Sequence, residues 1–266
     1  MDSIKEKKKR NSFKKFIRNL NYKNLIDPRL KFPQSKFVMY TRGRTGSTLL
    51  TELLNCHPEI FCDVEIFNFL YSGSIVKFPG MYINSCSKRA SAKGKKVYGF
   101  KVKISQLRYE HKYDNYDEIL LNLYKKDWKF IHLKRVNFLR HQLSNFISFQ
   151  TNIYHLREGD KDFNKKIIVD IEKLYRGVIY GEEVERIEEQ NLRNIPHYTV
   201  IYEDDLLDNE KFQKTADGIF QFLGLKSVPV KSDLKRITQD RLEDIIENYE
   251  EVEKLFLNTK YEKYLK

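Results

Sequence analysis

The sequence has little cysteine and no long apolar run. Its 266 residues include three cysteines, which cannot all pair with one another and form no C-x-x-C motif. We therefore expect reduced thiols in a cytoplasmic protein, because disulfides persist mainly in oxidising compartments. No apolar stretch approaches the roughly 20 residues that span a bilayer. The lysine-rich beginning of the sequence also lacks the apolar core of a secretory signal, so we expect none.

The composition is that of a folded, basic chain. Hydrophobic residues make up 41% and aromatic residues 14%, which are values typical of globular proteins. At this length a single α/β domain is the simplest assignment. The formal net charge is +12, and residues 1–19 carry +6 of it, from eight basic and two acidic side chains. The rest of the chain is only mildly basic, as suits an enzyme that binds a multiply anionic nucleotide.

The basic N-terminal segment permits two interpretations. It contains apolar side chains at helical spacing: Phe13, Phe16, Ile17 and Leu20. One interpretation is an amphipathic helix on a membrane surface, and the other is a solvated tail leading into a helix that packs on the domain. Pro28 and Pro33 then interrupt the chain before the first strand. We therefore divide the sequence into a basic N-terminal extension (residues 1–35) and one domain (residues 36–266).

The stretch that organises the domain is residues 36–65, which we interpret as strand, tight loop and helix. Residues 37–40 are a short apolar run with β-propensity. Four leucines at helical spacing then indicate a helix with one buried face: Leu49, Leu50, Leu53 and Leu54. The loop between them, residues 42–48, directs unpaired backbone N–H groups and the positive end of the helix dipole toward one point. The pattern therefore predicts an anion-binding site.

This loop is not a Walker A motif, because its glycines, Gly43 and Gly46, are three residues apart and no lysine follows Gly46. It resembles the 5′-phosphosulfate loop of sulfotransferases, which use 3′-phosphoadenosine 5′-phosphosulfate (PAPS). Carbohydrate-type and bacterial trehalose-type members have the pattern R-S/T-G-S/T-S/T-L-L followed by N-x-H-P, which residues 44–50 and 55–58 match. The resemblance implies that the phosphosulfate is bound by these residues: Arg44, Thr45, Gly46, Ser47 and Thr48.

A second strand-to-helix junction supports the same resemblance. Residues 129–133 read as a strand, Arg135 follows it, and residues 137–150 read as a helix that carries Ser144. Ligands of open α/β sheets collect at the carboxyl ends of the strands. Sulfotransferases place an arginine and a serine at this spacing on the 3′-phosphate, which implies that role for Arg135 and Ser144. Ser144 by itself could instead bond back to a helix carbonyl.

The remaining elements alternate between strands and helices. We expect further strands at residues 97–102 and 197–202, and helices from Asn164 through residue 179 into an acidic run, at residues 209–223, and over residues 242–256. Residues 203–206 resemble the Y-E-D-L segment of sulfotransferases, and we interpret them as structural. The resemblance extends over residues 36–266. It implies a P-loop-like α/β fold with a parallel sheet flanked by helices.

Two further stretches bear on catalysis. Residues 65–68 resemble the E-I/L-F-N segment of the bacterial enzymes, and Glu65 is our candidate for the catalytic base, although it could be a structural carboxylate. Asp63 and His57 are the alternatives. Residues 72–96 read as irregular, and we interpret them either as a flap that faces the acceptor or as a solvated excursion.

The reaction implied is transfer of a sulfuryl group from PAPS to a hydroxyl, with Arg44 and the loop amides balancing charge on the leaving phosphate. A sugar or glycolipid is the default acceptor, and no metal is required. Two alternatives stay open. One is a P-loop nucleotide kinase that uses ATP and Mg²⁺. The other is a non-catalytic basic module for nucleic acid or anionic membrane, although we see no known nucleic-acid fold and expect no nucleic-acid partner.

Overall fold

A computed structural model describes residues 22–161, 165–238 and 240–265. The N-terminal apolar residues from Phe13 to Leu20 and the predicted helix start at Asn164 lie outside the described residues.

The fold is built on a central sheet of five parallel strands. In chain order these are β1 (Ser35–Thr41), β2 (Ile60–Glu65), β3 (Val97–Val102), β4 (Trp128–Lys134) and β6 (His197–Ile201). Their spatial order is β2-β3-β1-β4-β6, so β1 is the central strand. Two short antiparallel strands, β5 (Leu156–Arg157) and β7 (Leu234–Lys235), form a separate pair.

Helices cover both faces of this sheet. They are α1 (Ser47–Asn55), α2 (Phe69–Ser72), α3 (Pro79–Ser87), α4 (Arg89–Ala92), α5 (Tyr116–Tyr124), α6 (Phe138–Thr151), α7 (Ile171–Leu192), α8 (Phe212–Leu223) and α9 (Tyr249–Phe256). The β1 side chains alternate between two cores. Val38 and Tyr40 pack in one cluster, and Phe37 and Met39 in the other. A parallel sheet needs this cover on both faces. In the described part of the chain, no helix combines the length and apolarity of a membrane span.

The predicted strands at residues 37–40, 97–102, 129–133 and 197–202 are confirmed as β1, β3, β4 and β6. The edge strand β2 (Ile60–Glu65) was not predicted. It pairs with β3 in parallel, with a register shift between Cys62 and Glu65. This strand carries Glu65 to the carboxyl end of the sheet, where the other site residues lie.

The prediction that residues 72–96 are irregular is wrong. Most of this stretch is helical, as α3 (Pro79–Ser87) and α4 (Arg89–Ala92). Its inward side chains pack in the core: Tyr82, Ile83, Cys86 and Ala90. The glycine, proline and serine content suggested a loop, but Pro79 occupies the first turn of α3, where its missing N–H costs no hydrogen bond.

Two helix starts also differ from the prediction. Helix α7 begins at Ile171, after Asp170, whose side chain accepts a hydrogen bond from the Lys173 N–H. Ile167 instead forms an isolated parallel bridge with Ile246. Helix α9 begins only at Tyr249, so the apolar residues from 242 to 246 are buried in non-helical or 3₁₀ backbone. At these places, the helical spacing of apolar residues therefore reflects side chains that are buried outside a helix.

Candidate functional site

The first junction, residues 42–48 between β1 and α1, makes a tight turn. Arg44 and Gly46 both have left-handed backbone, at φ 63° and 85°. A Cβ atom at Gly46 would lie 2.7 Å from the Tyr202 ring, so only glycine fits there. The Thr45 hydroxyl is turned inward, where it lies 2.6 Å from the Thr41 hydroxyl and bonds the Arg42 carbonyl at 2.9 Å. Thr45 therefore shapes the loop through its side chain.

Arg42 anchors this loop to α7. Its Nε atom lies 3.2 Å from Oε2 of Glu188, an ion-pair contact without hydrogen-bond alignment, and Glu188 is fully buried. A guanidinium NH group also donates to the Gly181 carbonyl at 2.8 Å. His141, on α6, holds the next residue, because its Nε2 atom lies 2.6 Å from the Gly43 carbonyl oxygen. The loop is thus fixed from two helices behind it.

Arg44 also reaches α6, about one turn beyond His141. Its Nε atom donates to the Ser144 hydroxyl at 3.1 Å, and a terminal nitrogen donates to the Tyr154 carbonyl at 2.8 Å. Both acceptors are neutral. Burial lowers the pKa of Arg44, and the nearby charge of Arg135 lowers it further. A guanidinium held by neutral oxygens beside a second cation is well suited to receive an anion.

Arg135, at the second junction between β4 and α6, is more completely engaged. Its Nε atom lies 3.3 Å from Oε1 of Glu203, a terminal nitrogen donates to the Arg44 carbonyl at 3.2 Å, and its guanidinium lies 4.6 Å from the Tyr202 ring centroid. Burial lowers the pKa of Arg135, while Tyr202 and Glu203 oppose that effect. Glu203 also accepts the N–H groups of residues 136 and 137. The 203–206 segment therefore has a structural role, because its Glu203 side chain fixes Arg135 and the start of α6.

Both junctions open on one cavity of about 590 Å³. Seven of the eight predicted site residues line it: Arg44, Gly46, Ser47, Thr48, Glu65, Arg135 and Ser144. The eighth, Thr45, lies directly beneath it in the loop. Arg44 and Ser144, assigned by resemblance to opposite ends of a nucleotide, are in direct contact here. The structure therefore brings the predicted residues together. Arg44 and Ser144 are closer to each other than their assigned roles at opposite ends of a nucleotide require.

Glu65 reaches the cavity from the end of β2. Its Oε2 atom accepts a hydrogen bond from Gln106 Nε2 at 2.7 Å and forms an ion pair with Lys103 Nζ at 2.8 Å. The alternatives to Glu65 are engaged elsewhere. Asp63 is buried and pairs with Arg89 at 3.0 Å, and His57 is buried with its Nε2 atom 3.2 Å from the Lys226 carbonyl. Both have structural partners, and neither lines the cavity.

Sequence reasoning missed Lys103 and His155, which both line the cavity. Lys103 follows β3 by one residue, and this position at a strand's carboxyl end was a usable signal. His155 carried no such signal, because it lies in a loop before the short strand β5. Burial, and then the charges of Arg44 and Lys101, lower the pKa of His155. Its imidazole is therefore neutral at neutral pH and can accept a proton.

The described cysteines are all free, and Cys62 and Cys86 are buried in the core. Among the residues that the structure describes, no three or more His, Cys, Asp or Glu side chains are grouped as a metal site would need.

The chain resembles known proteins in its fold. No protein-family model matches the chain, and no curated protein matches it in sequence. Among solved structures, a sulfotransferase from Alicyclobacillus acidocaldarius matches over 88% of this chain and 94% of its own, at a TM-score of 0.50 and 15% identity.

Two weaker matches are a shikimate kinase from Bacteroides thetaiotaomicron and the sulfotransferase domain of the Synechococcus PCC 7002 olefin synthase. The first has a TM-score of 0.40, 11% identity and coverage of 72% and 99% of the two chains. The second has a TM-score of 0.40, 14% identity and coverage of 74% and 76%. Together with the five-stranded parallel sheet, the Alicyclobacillus match confirms the predicted P-loop-like α/β fold.

Proposed function

We propose that this protein is a PAPS-dependent sulfotransferase that transfers a sulfuryl group to a hydroxyl of a sugar or glycolipid. The observation that carries the proposal is the convergence of Arg44, Arg135, Ser144 and the amino end of α1 on one cavity. A half-buried cation, Arg44, and a buried one, Arg135, beside a helix N-terminus favour a ligand with more than one anionic group. The acceptor class comes from the sequence resemblance to carbohydrate-type enzymes.

The residues present fit the donor nucleotide in charge and in size. Arg44 bonds only neutral oxygens, from Ser144 and Tyr154, and these bonds are weaker than those to a phosphate or sulfate oxygen. The cavity, at about 590 Å³, is within the range of roughly 300–1,000 Å³ typical of small-molecule sites. Donor binding would therefore replace the Arg44–Ser144 bond by charge-assisted bonds from both side chains.

We assign the 5′ end of the donor to the first junction and the 3′-phosphate to the second. The backbone N–H groups of residues 46–48 and the Arg44 guanidinium would stabilise the negative charge that grows on the bridging phosphate oxygen as the S–O bond breaks. Arg135 and Ser144 would bind the 3′-phosphate. Because Glu203 and Tyr202 fix Arg135 in advance, little side-chain entropy would be lost there on binding.

We assign the role of general base to Glu65. As the acceptor oxygen bonds to sulfur, Glu65 would take the hydroxyl proton, and 3′-phosphoadenosine 5′-phosphate would leave with the electrons of the broken S–O bond. Gln106 donates to Oε2 and Lys103 forms an ion pair with it, and these contacts orient the carboxylate toward the cavity. Lys103 also lies near Gly43, since its Nζ atom is 3.7 Å from where a Cβ would stand there. Lys103 therefore lies between the proposed base and the loop of residues 42–48.

Thermal unfolding with candidate nucleotides tests the proposal. PAPS and 3′-phosphoadenosine 5′-phosphate should each raise the melting temperature without Mg²⁺, and ATP should do so much less. Ligand at about 100 times its Kd adds about 2.7 kcal/mol to the free energy of unfolding, which is readily measured. Equal stabilisation by ATP, or a strict need for Mg²⁺, would favour the kinase alternative and overturn the assignment. Turnover with radiolabelled PAPS and a panel of sugars and glycolipids then identifies the acceptor.

A further inference from the structure

One wall of the cavity lies outside the proposed donor contacts. Phe149, near the carboxyl end of α6, and Tyr154, in the segment before β5, both line the cavity. Phe149 is 76% exposed and Tyr154 48%. Single exposed aromatic residues are ordinary on a surface, but two that line one cavity are typical of a ligand-binding wall. We call these two residues the aromatic wall.

Helix α6 shows where the aromatic wall lies relative to the donor. Arg135 precedes the helix, and Ser144, near its middle, accepts a hydrogen bond from Arg44 at 3.1 Å. Ser144 and Ser148, four positions apart, line the cavity from one helical face, and Phe149 follows them. Phe149 is about 7.5 Å beyond Ser144 along the helix axis. The aromatic wall therefore lies beyond the groups that we assign to the donor phosphates and sulfate.

The aromatic wall adjoins the reacting groups. The Tyr154 carbonyl accepts a hydrogen bond from Arg44 at 2.8 Å. His155, the next residue, lies near both Arg44 and Lys101, because the charges of these two side chains help to lower its pKa. Lys101 is opposite Glu65 in the β2–β3 ladder. The segment of Tyr154 and His155 therefore adjoins both Arg44 and the strand end that carries the proposed base, and the acceptor hydroxyl must lie near both.

The charges of the cavity lining limit the charge of the acceptor. Five cationic side chains line the cavity: Arg44, Lys103, Arg135, Lys235 and Arg236. Three of the five are already in ion pairs, at 2.7 to 3.3 Å, with these carboxylates: Glu65, Glu203 and Asp240. PAPS carries about four negative charges, because its 3′-phosphate carries close to two and its phosphosulfate about two more. The bound donor therefore exceeds the positive charge that the lining has left, and it would repel an acceptor that is itself an anion.

We propose that the aromatic wall binds an uncharged sugar ring of the acceptor, whose C–H groups lie against Phe149 and Tyr154 while one of its hydroxyls faces Glu65. An aromatic ring face is apolar and carries partial negative charge, so it attracts C–H groups and offers no attraction to an anion. This inference rests on the sulfuryl-transfer proposal, because it assigns the part of the cavity that the donor contacts leave open. It makes Phe149 a specificity-determining residue that contacts the acceptor.

Turnover with radiolabelled PAPS tests the charge of the acceptor. The probes are the methyl glycosides of glucose, galactose and mannose, the corresponding uronic acids, and the uronamides, which match the acids in size without the charge. We expect kcat/KM to be at least about tenfold higher for the uncharged probes than for the acids, because like charges brought together disfavour binding. Equal turnover of the acids, turnover of 4-nitrophenol in place of the sugars, or no turnover of any sugar would overturn the inference.

Substitution of Phe149 tests the aromatic wall itself. Because this side chain is 76% exposed, Phe149→Ala should leave the melting temperature of the ligand-free protein unchanged. We expect its KM for the best uncharged sugar to rise about tenfold, whereas Phe149→Tyr should stay close to the wild type. The matched control is Phe78→Ala, because Phe78 is 61% exposed and lies outside the cavity. The control should keep the wild-type KM, and an equally unchanged KM in Phe149→Ala would contradict the inference.

Donor binding is measured separately for the same variants. We expect 3′-phosphoadenosine 5′-phosphate to stabilise Phe149→Ala as much as it does the wild type. A loss of that stabilisation would show that Phe149 stacks on the adenine, and would overturn the inference. If the nucleotide failed to stabilise even the wild type, the sulfuryl-transfer proposal would fail, and this inference with it. If it stabilises the wild type while the sugar preference is absent, only this inference fails.

Discussion

The two strand-to-helix junctions have the same topology and are built differently. At the first, between β1 and α1, Arg44 extends over the cavity and bonds only the neutral oxygens of Ser144 and Tyr154. At the second, between β4 and α6, Arg135 already has a carboxylate partner, Glu203, and lies against Tyr202. In the described chain, the Arg44 guanidinium therefore has no carboxylate partner and can bind an anion, whereas the Arg135 guanidinium already takes part in holding the fold. Two arginines of equal predicted importance should therefore respond differently to substitution.

The largest effect should fall on chemistry beside the first junction, at Glu65. Glu65→Gln keeps the size and the contacts to Lys103 and Gln106 but removes the proton acceptor. We expect kcat to fall by a factor of roughly 10² to 10⁴, the usual worth of general-base catalysis, with donor affinity near that of the wild type. Turnover at saturating PAPS with an identified acceptor measures this.

His155→Asn is the matched comparison for Glu65, because His155 is the other cavity-lining group able to accept a proton. We expect it to lower kcat far less than Glu65→Gln does. If the two variants exchanged these outcomes, the base would be His155 and the assignment of Glu65 would be wrong.

The next largest effect concerns the free energy of unfolding and tests the Arg42–Glu188 contact that anchors the first junction. Arg42→Met removes the cation that faces the fully buried Glu188. Breaking a buried ion pair from one side typically costs about 3–5 kcal/mol in the free energy of unfolding, which urea denaturation measures. Arg42→Met/Glu188→Leu should recover much of that loss, since no unpaired charge is left. Arg186→Met, which breaks an exposed pair with Glu183, should change little.

The two cavity arginines provide the direct test of the comparison. Arg44→Ala and Arg135→Ala should each weaken PAPS binding, by about ten- to a hundredfold for a lost charge-assisted bond of about 1.5–3 kcal/mol. Arg135→Ala alone should blur discrimination against the analogue that lacks the 3′-phosphate. It should also lower the melting temperature of the ligand-free protein, because Glu203 loses its partner, whereas Arg44→Ala should not. Equal melting temperatures for the two variants would contradict the difference described between the junctions.

The last effect depends on pH, and per pH unit it is the smallest. Burial, and then the charge of Arg42, lower the pKa of His141 from 6.5 to about 3. Between these values the unfolded chain binds a proton that the folded protein does not. The contribution is therefore complete above pH 6.5 and is lost as the pH falls. We expect a loss of at most about 1.4 kcal/mol per pH unit. His141→Gln keeps a donor for the Gly43 carbonyl without titrating, so its unfolding free energy should depend less on pH. A slope equal to that of the wild type would show that His141 does not contribute.

Much of the fold followed from local pattern. The apolar runs of β1, β3 and β4 are buried on both faces, and runs of that kind are recognisable in a sequence. Where glycine, proline or helical spacing was the only signal, the prediction failed, as at α3 and before α9. Local composition cannot distinguish a helix with a buried face from a non-helical segment whose side chains are also buried, because both place apolar side chains in the core.

The sequence by itself determined the loop of residues 42–48 and the two junctions, because a strand, a glycine turn and a helix define the local geometry within a few adjacent residues. Only the tertiary structure decided what surrounds them. The unpredicted strand β2 carries Glu65 to Lys103, and Glu188 of α7 meets Arg42 across a wide separation in sequence. Such contacts depend on how strands are ordered and helices packed, which no local spacing encodes. For that reason the candidate anion ligands were readable from the sequence, while the groups that orient them were not.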